Sequence, residues 1–335
     1  MSSGVSLRDG VEITLSTGET FVADATEPAG DVVGLSHAHG DHLYTRAPEA
    51  VVCSDVTARL ANARREDEAP LTRTTHPRVE QVPAGHVPGS RATVVDDPDG
   101  TTYLYTGDFS PRSRFLLDGF DAGAVADEYD VDVLVTETTY GKPEYVFDDQ
   151  AVLEARIVDW LDETHDTPVL LFGYTLGRAQ ELELLVGRSN RERLFVTDAT
   201  ARLNAIIEDA YDVDFGAERY EEATTLGAGD ALLLPAQTNR LSFVDSIAES
   251  TGALKAGFSG WAIEESFKYR GSYDEIFVLS DHSDFSELVD TVETLEPERV
   301  YTQHGFADAF ATHLEAEFDL TARSLKNNQT ALSDF

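Results

Sequence analysis

At 335 residues, with 41% hydrophobic and 9% aromatic residues, the chain can bury one large core or two intimate ones, which excludes a disordered polymer. Its 62 Asp and Glu against 25 Lys and Arg leave a formal charge of −37, with lysine only at Lys142, Lys255, Lys268 and Lys326. Such self-repulsion fades where the Debye length falls to about 3 Å in molar salt, so a salt-adapted cytoplasm is expected, as in halophilic archaea, and no basic stripe advertises a polyanion partner.

The first half reads as short strands broken by turns. Residues 11–15 alternate, Ser16-Thr17-Gly18 turns, and residues 20–24 return, as in a hairpin. Residues 32–36 form a buried-strand run that ends at a histidine cluster, and residues 50–54 read as another strand, with Asp55 capping a helix through Arg64. Residues 93–95 and 102–106 flank an Asp99-Gly100 turn, and residues 131–136 give a strand ending at Glu137. After about Pro143 the period changes. Helices near residues 153–161, 176–186 and 201–211, and one through Ser246, alternate with apolar strands at 168–174, 193–197, 231–235 and 253–258. That alternation predicts a parallel sheet covered on both faces. Residues 275–280 and 299–302 then resume the strand-to-histidine pattern. The expected organisation is a first domain over 1–145, an inserted α/β domain over 146–274 and a return segment over 275–335.

Cys53 is the only cysteine, which excludes a disulfide framework and a thiolate metal site. No stretch approaches about 18 consecutive apolar residues, and Met1 to Val5 lack a basic stretch leading into an apolar run, so a cytoplasmic protein without membrane contact is expected. Asn328-Gln329-Thr330 fits a glycosylation acceptor pattern and is read as chance.

The chemistry concentrates in His37-Ala38-His39-Gly40-Asp41-His42. Residues two apart in an extended segment project to one side, so His37 and His39 can hold one cation together. The turn at Gly40 sends Asp41 and His42 toward a second position. A lone loop histidine is usually a surface residue; four ligand-type side chains on one tight loop are not. Imidazole and carboxylate suit zinc, with manganese or iron as alternatives. Further candidates stand at strand ends: His86 among small residues, Asp108 in Thr106-Gly107-Asp108, and His304 in Gln303-His304-Gly305. Asp24, after an apolar strand, can orient a ligand histidine from behind. His76, His165 and His313 read as solvated or structural, and Cys53 as core.

These motifs, in this order, resemble the metallo-β-lactamase superfamily. Thr136-Glu137-Thr138-Thr139-Tyr140-Gly141, Asp281-His282-Ser283-Asp284 and Gln303-His304-Gly305 resemble the motifs of its β-CASP nucleases, and Gly177-Arg178-Ala179-Gln180-Glu181 a segment of their inserted domain. Ser259-Gly260-Trp261 followed by Val278 to His282 is most similar to the short members described as mRNA 3′-end processing factor-like proteins or DNA-ligase-associated exonucleases. The resemblance implies an α/β fold, an αββα sandwich with an inserted compact β-CASP-like domain. It also implies two zinc ions, one on His37, His39, His86 and Asp108, the other on Asp41, His42, Asp108 and His304.

The function so implied is hydrolysis of nucleic-acid phosphodiesters, RNA favoured over DNA, by exo- or endonucleolytic cleavage in RNA processing or decay. Asp41 would accept a hydrogen bond from the attacking water, and His282, oriented by Glu137, would protonate the leaving oxygen. Arg178 could meet a substrate phosphate, and Tyr140 or Trp261 could stack on bases, although packing is the commoner role of such aromatics. Competing expectations are a DNA-end exonuclease working in repair beside a ligase, a small-molecule metallo-hydrolase, and an inactive nucleic-acid-binding subunit. A homodimer is left open.

Overall fold

The structure, a computed structural model, describes residues 4–65, 69–221 and 223–326; the Asn328-Gln329-Thr330 triplet lies outside them. Strands β1 (Gly4–Leu7), β2 (Val11–Thr14), β3 (Thr20–Ala23) and β4 (Val32–Gly34) lead to helix α1 (Asp55–Arg64). Strands β5 (Val79–Pro83), β6 (Arg91–Asp96) and β7 (Thr102–Tyr105), helix α2 (Ala122–Glu128) and strand β8 (Val133–Glu137) follow. Next come α3 (Gln150–Glu163), β9 (Val169–Gly173), α4 (Arg178–Arg188), β10 (Arg193–Val196), α5 (Asp198–Tyr211), β11 (Glu218–Arg219) and β12 (Asp230–Pro235). Helix α6 (Ser242–Thr251), β13 (Leu254–Phe258), α7 (Ser266–Gly271) and β14 (Glu275–Phe277) precede α8 (Phe285–Leu295), β15 (Arg299–Gln303), α9 (Ala307–Glu317) and β16 (Thr321–Ser324). No helix among the described residues is long and apolar enough to cross a membrane.

The chain divides into two compact units. One comprises Met1–Arg112, Leu117–Val146 and His282–Phe335; the other comprises Ser113–Leu116 and Phe147–Asp281.

In the first unit, β1-β2-β3-β4 form one sheet and β16-β15-β8-β7-β6-β5 another. The period-2 residues Val11, Ile13, Phe21 and Ala23 of the first sheet share a core with Val95, Tyr103, Tyr105, Val133 and Val135 of the second. The alternate residues of the second sheet, Val94, Leu104, Leu134 and Val300, pack instead on Val125 of α2, Leu288 and Val292 of α8, and Phe310 and Leu314 of α9. The result is an α/β fold of mixed sheets, consistent with an αββα sandwich.

The second unit holds the sheet β11-β10-β12-β9-β13-β14, in which every pairing is parallel. Its strands are apolar on both faces because both are covered. Val169, Leu171, Val196 and Leu233 meet α3 and α4, while Leu170, Phe172, Leu232 and Leu234 meet α6.

Three local expectations are corrected. Residues 50–54 form only isolated bridges, Val52 with Gly34 and Val51 with Arg73, because no neighbouring strand extends the ladder. The cap of α1 is Ser54, whose hydroxyl accepts from the Thr57 amide, rather than Asp55. The strand at Glu275–Phe277 pairs in parallel with β13, in the sheet of the second unit.

Candidate metal centre

Topology brings the candidate ligands of the second sheet to one edge. β15, β8 and β7 run parallel, so their carboxyl ends emerge together and deliver His304, Glu137 and Asp108. β6 is antiparallel to β7 and β5 antiparallel to β6, so the carboxyl end of β5, which leads to His86, reaches the same edge. The His86 turn is tight. Gly85 has φ 69°, and a Cβ there would lie 2.2 Å from the Ser110 carbonyl oxygen, so only glycine fits.

Asp108 stands at the middle. Its Oδ2 lies 3.6 Å from His37 Nε2, 3.6 Å from His42 Nε2 and 3.8 Å from His86 Nε2. His86 Nε2 is in turn 3.1 Å from His39 Nδ1. Donors about 2.0–2.1 Å from one tetrahedral ion stand roughly 3.3–3.4 Å from each other, and the distances here, 3.1 to 3.8 Å, bracket that spacing. Two of the groupings that share this carboxylate among the described residues are His37, His39, His86 and Asp108, and His42, Asp108 and His304. These are two distinct clusters capable of chelating metal ions.

The local chemistry fits cations. His37 Nε2 is fully buried with no hydrogen-bond partner, and it faces Asp108 at a distance too long for a hydrogen bond. Burial, then the charges of His42, His86, His39 and His282, push the His37 pKa well below its usual value, so its imidazole is neutral as a ligand must be. At His42 burial also opposes charge, but Asp108 and Asp24 overcome it and raise its pKa to about 9. The carboxylates thus draw positive charge to this position.

Asp24 is buried behind His42. Its Oδ2 lies 3.1 Å from His42 Nδ1 and accepts the Tyr105 hydroxyl at 2.7 Å. Burial would raise its pKa, yet the His42 charge and the hydrogen bonds from the Ser36 hydroxyl and amide hold it below the usual value. Asp24 and His304 are both non-glycine residues at positive φ, 54° and 58°. Each stores backbone strain of about 1–3 kcal/mol, as functional positions often do.

Beside these groupings, Glu137 is fully buried and its Oε1 lies 2.8 Å from His282 Nδ1. The Thr139 amide donates to Oε2 at 2.9 Å and the Phe109 amide to Oε1 at 3.4 Å. Burial pushes the Glu137 pKa up, but the His282 charge and hydrogen bond, with those from Thr139, keep it below the usual value. Asp108, Glu137 and His282 form a further cluster of ligand-type atoms, so the pair adjoins the shared carboxylate.

Some expected site residues lie elsewhere. Asp41 is 80% exposed with its Oδ2 4.0 Å from His42 Nε2, and it stands outside every such grouping among the described residues. Arg178 does not point to solvent. It is 2% exposed, donates to Asp281 Oδ1 at 2.8 Å and the Phe258 carbonyl at 3.1 Å, and so is committed inside its own unit. Tyr140 is buried, its ring 5.6 Å from that of Tyr145 and 6.3 Å from that of His282, so it packs rather than offering a face to a base. Cys53 is buried, and burial pushes its thiol up to about 12, an inert core residue. His76 lies 3.5 Å from Glu19, and the His313 ring packs 4.9 Å from that of Phe285. Sequence reasoning passed over Ser36 and Tyr105; their only signal was position, one just before His37 and the other at the end of β7.

No family model matches the chain. It is 33% identical over 291 residues to a protein of Opitutus terrae named as a probable DNA ligase, a match covering 84% of this chain and 27% of that one. It is 29% identical over 201 residues to an RNase J-like protein of Methanocaldococcus jannaschii, covering 51% of this chain and 46% of the relative. The chain therefore spans less than half the length of these two relatives. A crystal structure of a protein of unknown function from Enterococcus faecalis superposes with a TM-score of 0.67 over 98% of this chain and 97% of that one, at 13% identity, a likeness of fold alone. With the geometry above, likeness to such proteins supports the metallo-β-lactamase superfamily and its β-CASP group as the kin of this chain.

Proposed function

We propose that the chain is a two-zinc phosphodiesterase that hydrolyses nucleic acid, RNA in preference to DNA. The observation that carries the reading is the sharing of Asp108 Oδ2 among His37, His42 and His86, with the Glu137–His282 pair beside it. Likeness to the RNase J-like protein supports nucleic acid as the substrate.

His37, His39, His86 and Asp108 would hold one ion; His42, Asp108 and His304 the other. Asp41 would complete that second set by turning inward from its exposed position. A pair of such ions lowers the pKa of water and neutralises charge on a phosphoryl oxygen. The protein's own groups do the rest. Asp41 accepts a hydrogen bond from the attacking water. Glu137 fixes His282 through Nδ1, which leaves Nε2 to protonate the leaving oxygen. Attack by water rather than a ribose 2′-hydroxyl leaves a 5′-phosphate and a 3′-hydroxyl, so the chemistry extends to DNA. The compact second unit would be the β-CASP-like insertion.

A second reading, a DNA-end nuclease working beside a ligase, is favoured by the likeness to part of the probable DNA ligase. Metal analysis with 5′- and 3′-labelled RNA and DNA strands, run in molar potassium chloride, tests both. Two zinc equivalents with faster cleavage of RNA support the first, and a preference for DNA ends supports the second. A zinc-loaded protein that cleaves neither strand would sink both.

A further inference from the structure

We propose that Ser36 is a positioning residue that relays the hold of Asp24 to His37, so that one buried carboxylate sets the ligand nitrogen at both ion positions. The inference rests on the metal-centre reading and names a residue that reading does not use.

The argument is proton bookkeeping. Ser36 is buried, and its Oγ lies 2.6 Å from Asp24 Oδ2 and 2.9 Å from His37 Nδ1. The hydroxyl has one proton, and an ionised carboxylate only accepts. Ser36 must therefore donate to Asp24 and accept from His37 Nδ1–H. That tautomer leaves the lone pair on His37 Nε2, the partnerless atom that faces Asp108 at 3.6 Å. The same Asp24 oxygen lies 3.1 Å from His42 Nδ1, an ion-pair contact, and the other nitrogen of that ring, Nε2, lies 3.6 Å from Asp108. One carboxylate thus reaches His42 directly and His37 through a hydroxyl.

The relay is anchored at each joint. Asp24 Oδ1 accepts the Ser36 amide at 2.8 Å, and Oδ2 accepts the Tyr105 hydroxyl at 2.7 Å. The Ser36 carbonyl accepts the Arg91 amide at 2.9 Å. Behind it sits Gly107, at φ 57°, where an added Cβ would come within 2.7 Å of the Ser36 Cβ. The absence of a side chain at Gly107 is what admits Ser36 to this place, one residue before the shared ligand Asp108.

Zinc affinity, measured by competition with a chromophoric chelator, tests the proposal without any nucleic acid. Ser36→Ala should weaken one of two zinc equivalents by about 10–100-fold, the range for losing a group that orients a ligand, and leave the other in place. Ser36→Thr, which keeps the hydroxyl, should restore it, and Asp24→Asn should weaken both. Circular dichroism identifies the folded variants. The proposal is overturned if Ser36→Ala holds both equivalents with parental affinity, if Ser36→Thr is as weak as Ser36→Ala, or if Asp24→Asn weakens only one. A protein that obeys this pattern yet cleaves no nucleic acid would refute the nuclease reading and leave the role of Ser36 standing.

Discussion

Glu137 Oε1 lies 2.8 Å from His282 Nδ1 although 145 residues separate them in the chain. The two side chains differ sharply in exposure, 0% for the carboxylate and 20% for the imidazole, so the ring is gripped by a fully buried group. The Thr139 and Phe109 amides hold the carboxylate in turn. A ring so gripped is hindered from swinging away from the carboxylate.

This arrangement separates rate from metal content. His282→Ala should retain both zinc equivalents while hydrolysis slows by about 10²–10⁴-fold, the usual contribution of a positioned general acid. Metal analysis beside single-turnover cleavage of an end-labelled strand checks it. Loss of zinc in that variant would make His282 a ligand and remove the case for its acid role.

Asp108 should behave in the opposite way. Because Oδ2 faces nitrogens of both groupings at 3.6–3.8 Å, Asp108→Ala is expected to release both ions together, whereas His304→Ala should release only one. Activity of Asp108→Ala should fall by more than about 100-fold, since losing even an orienting partner of a ligand costs about 10–100-fold. Retention of a full first equivalent in Asp108→Ala would show that the carboxylate does not bridge.

The contrast between these residues and their neighbours shows what the chain makes legible. His37, His39, His42, His86 and His304 announce themselves, because few structural roles ask for histidine at strand ends. Ser36 and Tyr105 do not, since serine and tyrosine are common and their value lies in hydrogen bonds to Asp24 closed by the fold. The alternating and all-apolar strands were readable because burial on one or both faces leaves its period in the sequence. Residues 50–54 carried the same apolar signal, but a strand also needs a partner, and only bridges formed. Arg178 misled for a related reason. A helix start after a strand resembles a phosphate site, while its partner Asp281 lies 103 residues away.

That buried pair yields its own prediction. Arg178 and Asp281 are 2% and 4% exposed in their side chains, so Arg178→Ala leaves a carboxylate in the interior with its cation removed. Breaking a buried pair in this way destabilises by about 3–5 kcal/mol. Arg178→Lys should recover little, because a single ammonium lacks the planar fork that reaches both Asp281 and the Phe258 carbonyl. Chemical denaturation measures this. An unchanged midpoint with a raised KM would instead return Arg178 to the substrate.

Glu183 gives a pH dependence that no metal complicates. It is fully buried on α4, where Oε2 accepts from Asn204 Nδ2 at 2.6 Å and Oε1 has no partner. Burial is the main cause that raises its pKa from 4.5 to about 8; the Asn204 hydrogen bond opposes the rise and Glu208 adds to it. Between those two values the folded protein keeps a proton that the unfolded chain releases. This contribution to stability is therefore fully present below pH 4.5, erodes as pH rises, and stops changing above about pH 8. Glu183→Gln keeps the shape without the proton. The two proteins should match near pH 4.5, and the variant should gain on the parent by up to about 1.4 kcal/mol per pH unit through the window. Denaturation midpoints of both proteins at about pH 5, 6, 7 and 8 in molar potassium chloride read out that divergence; a gap that stays constant across the series would mean that Glu183 is ionised in the native core.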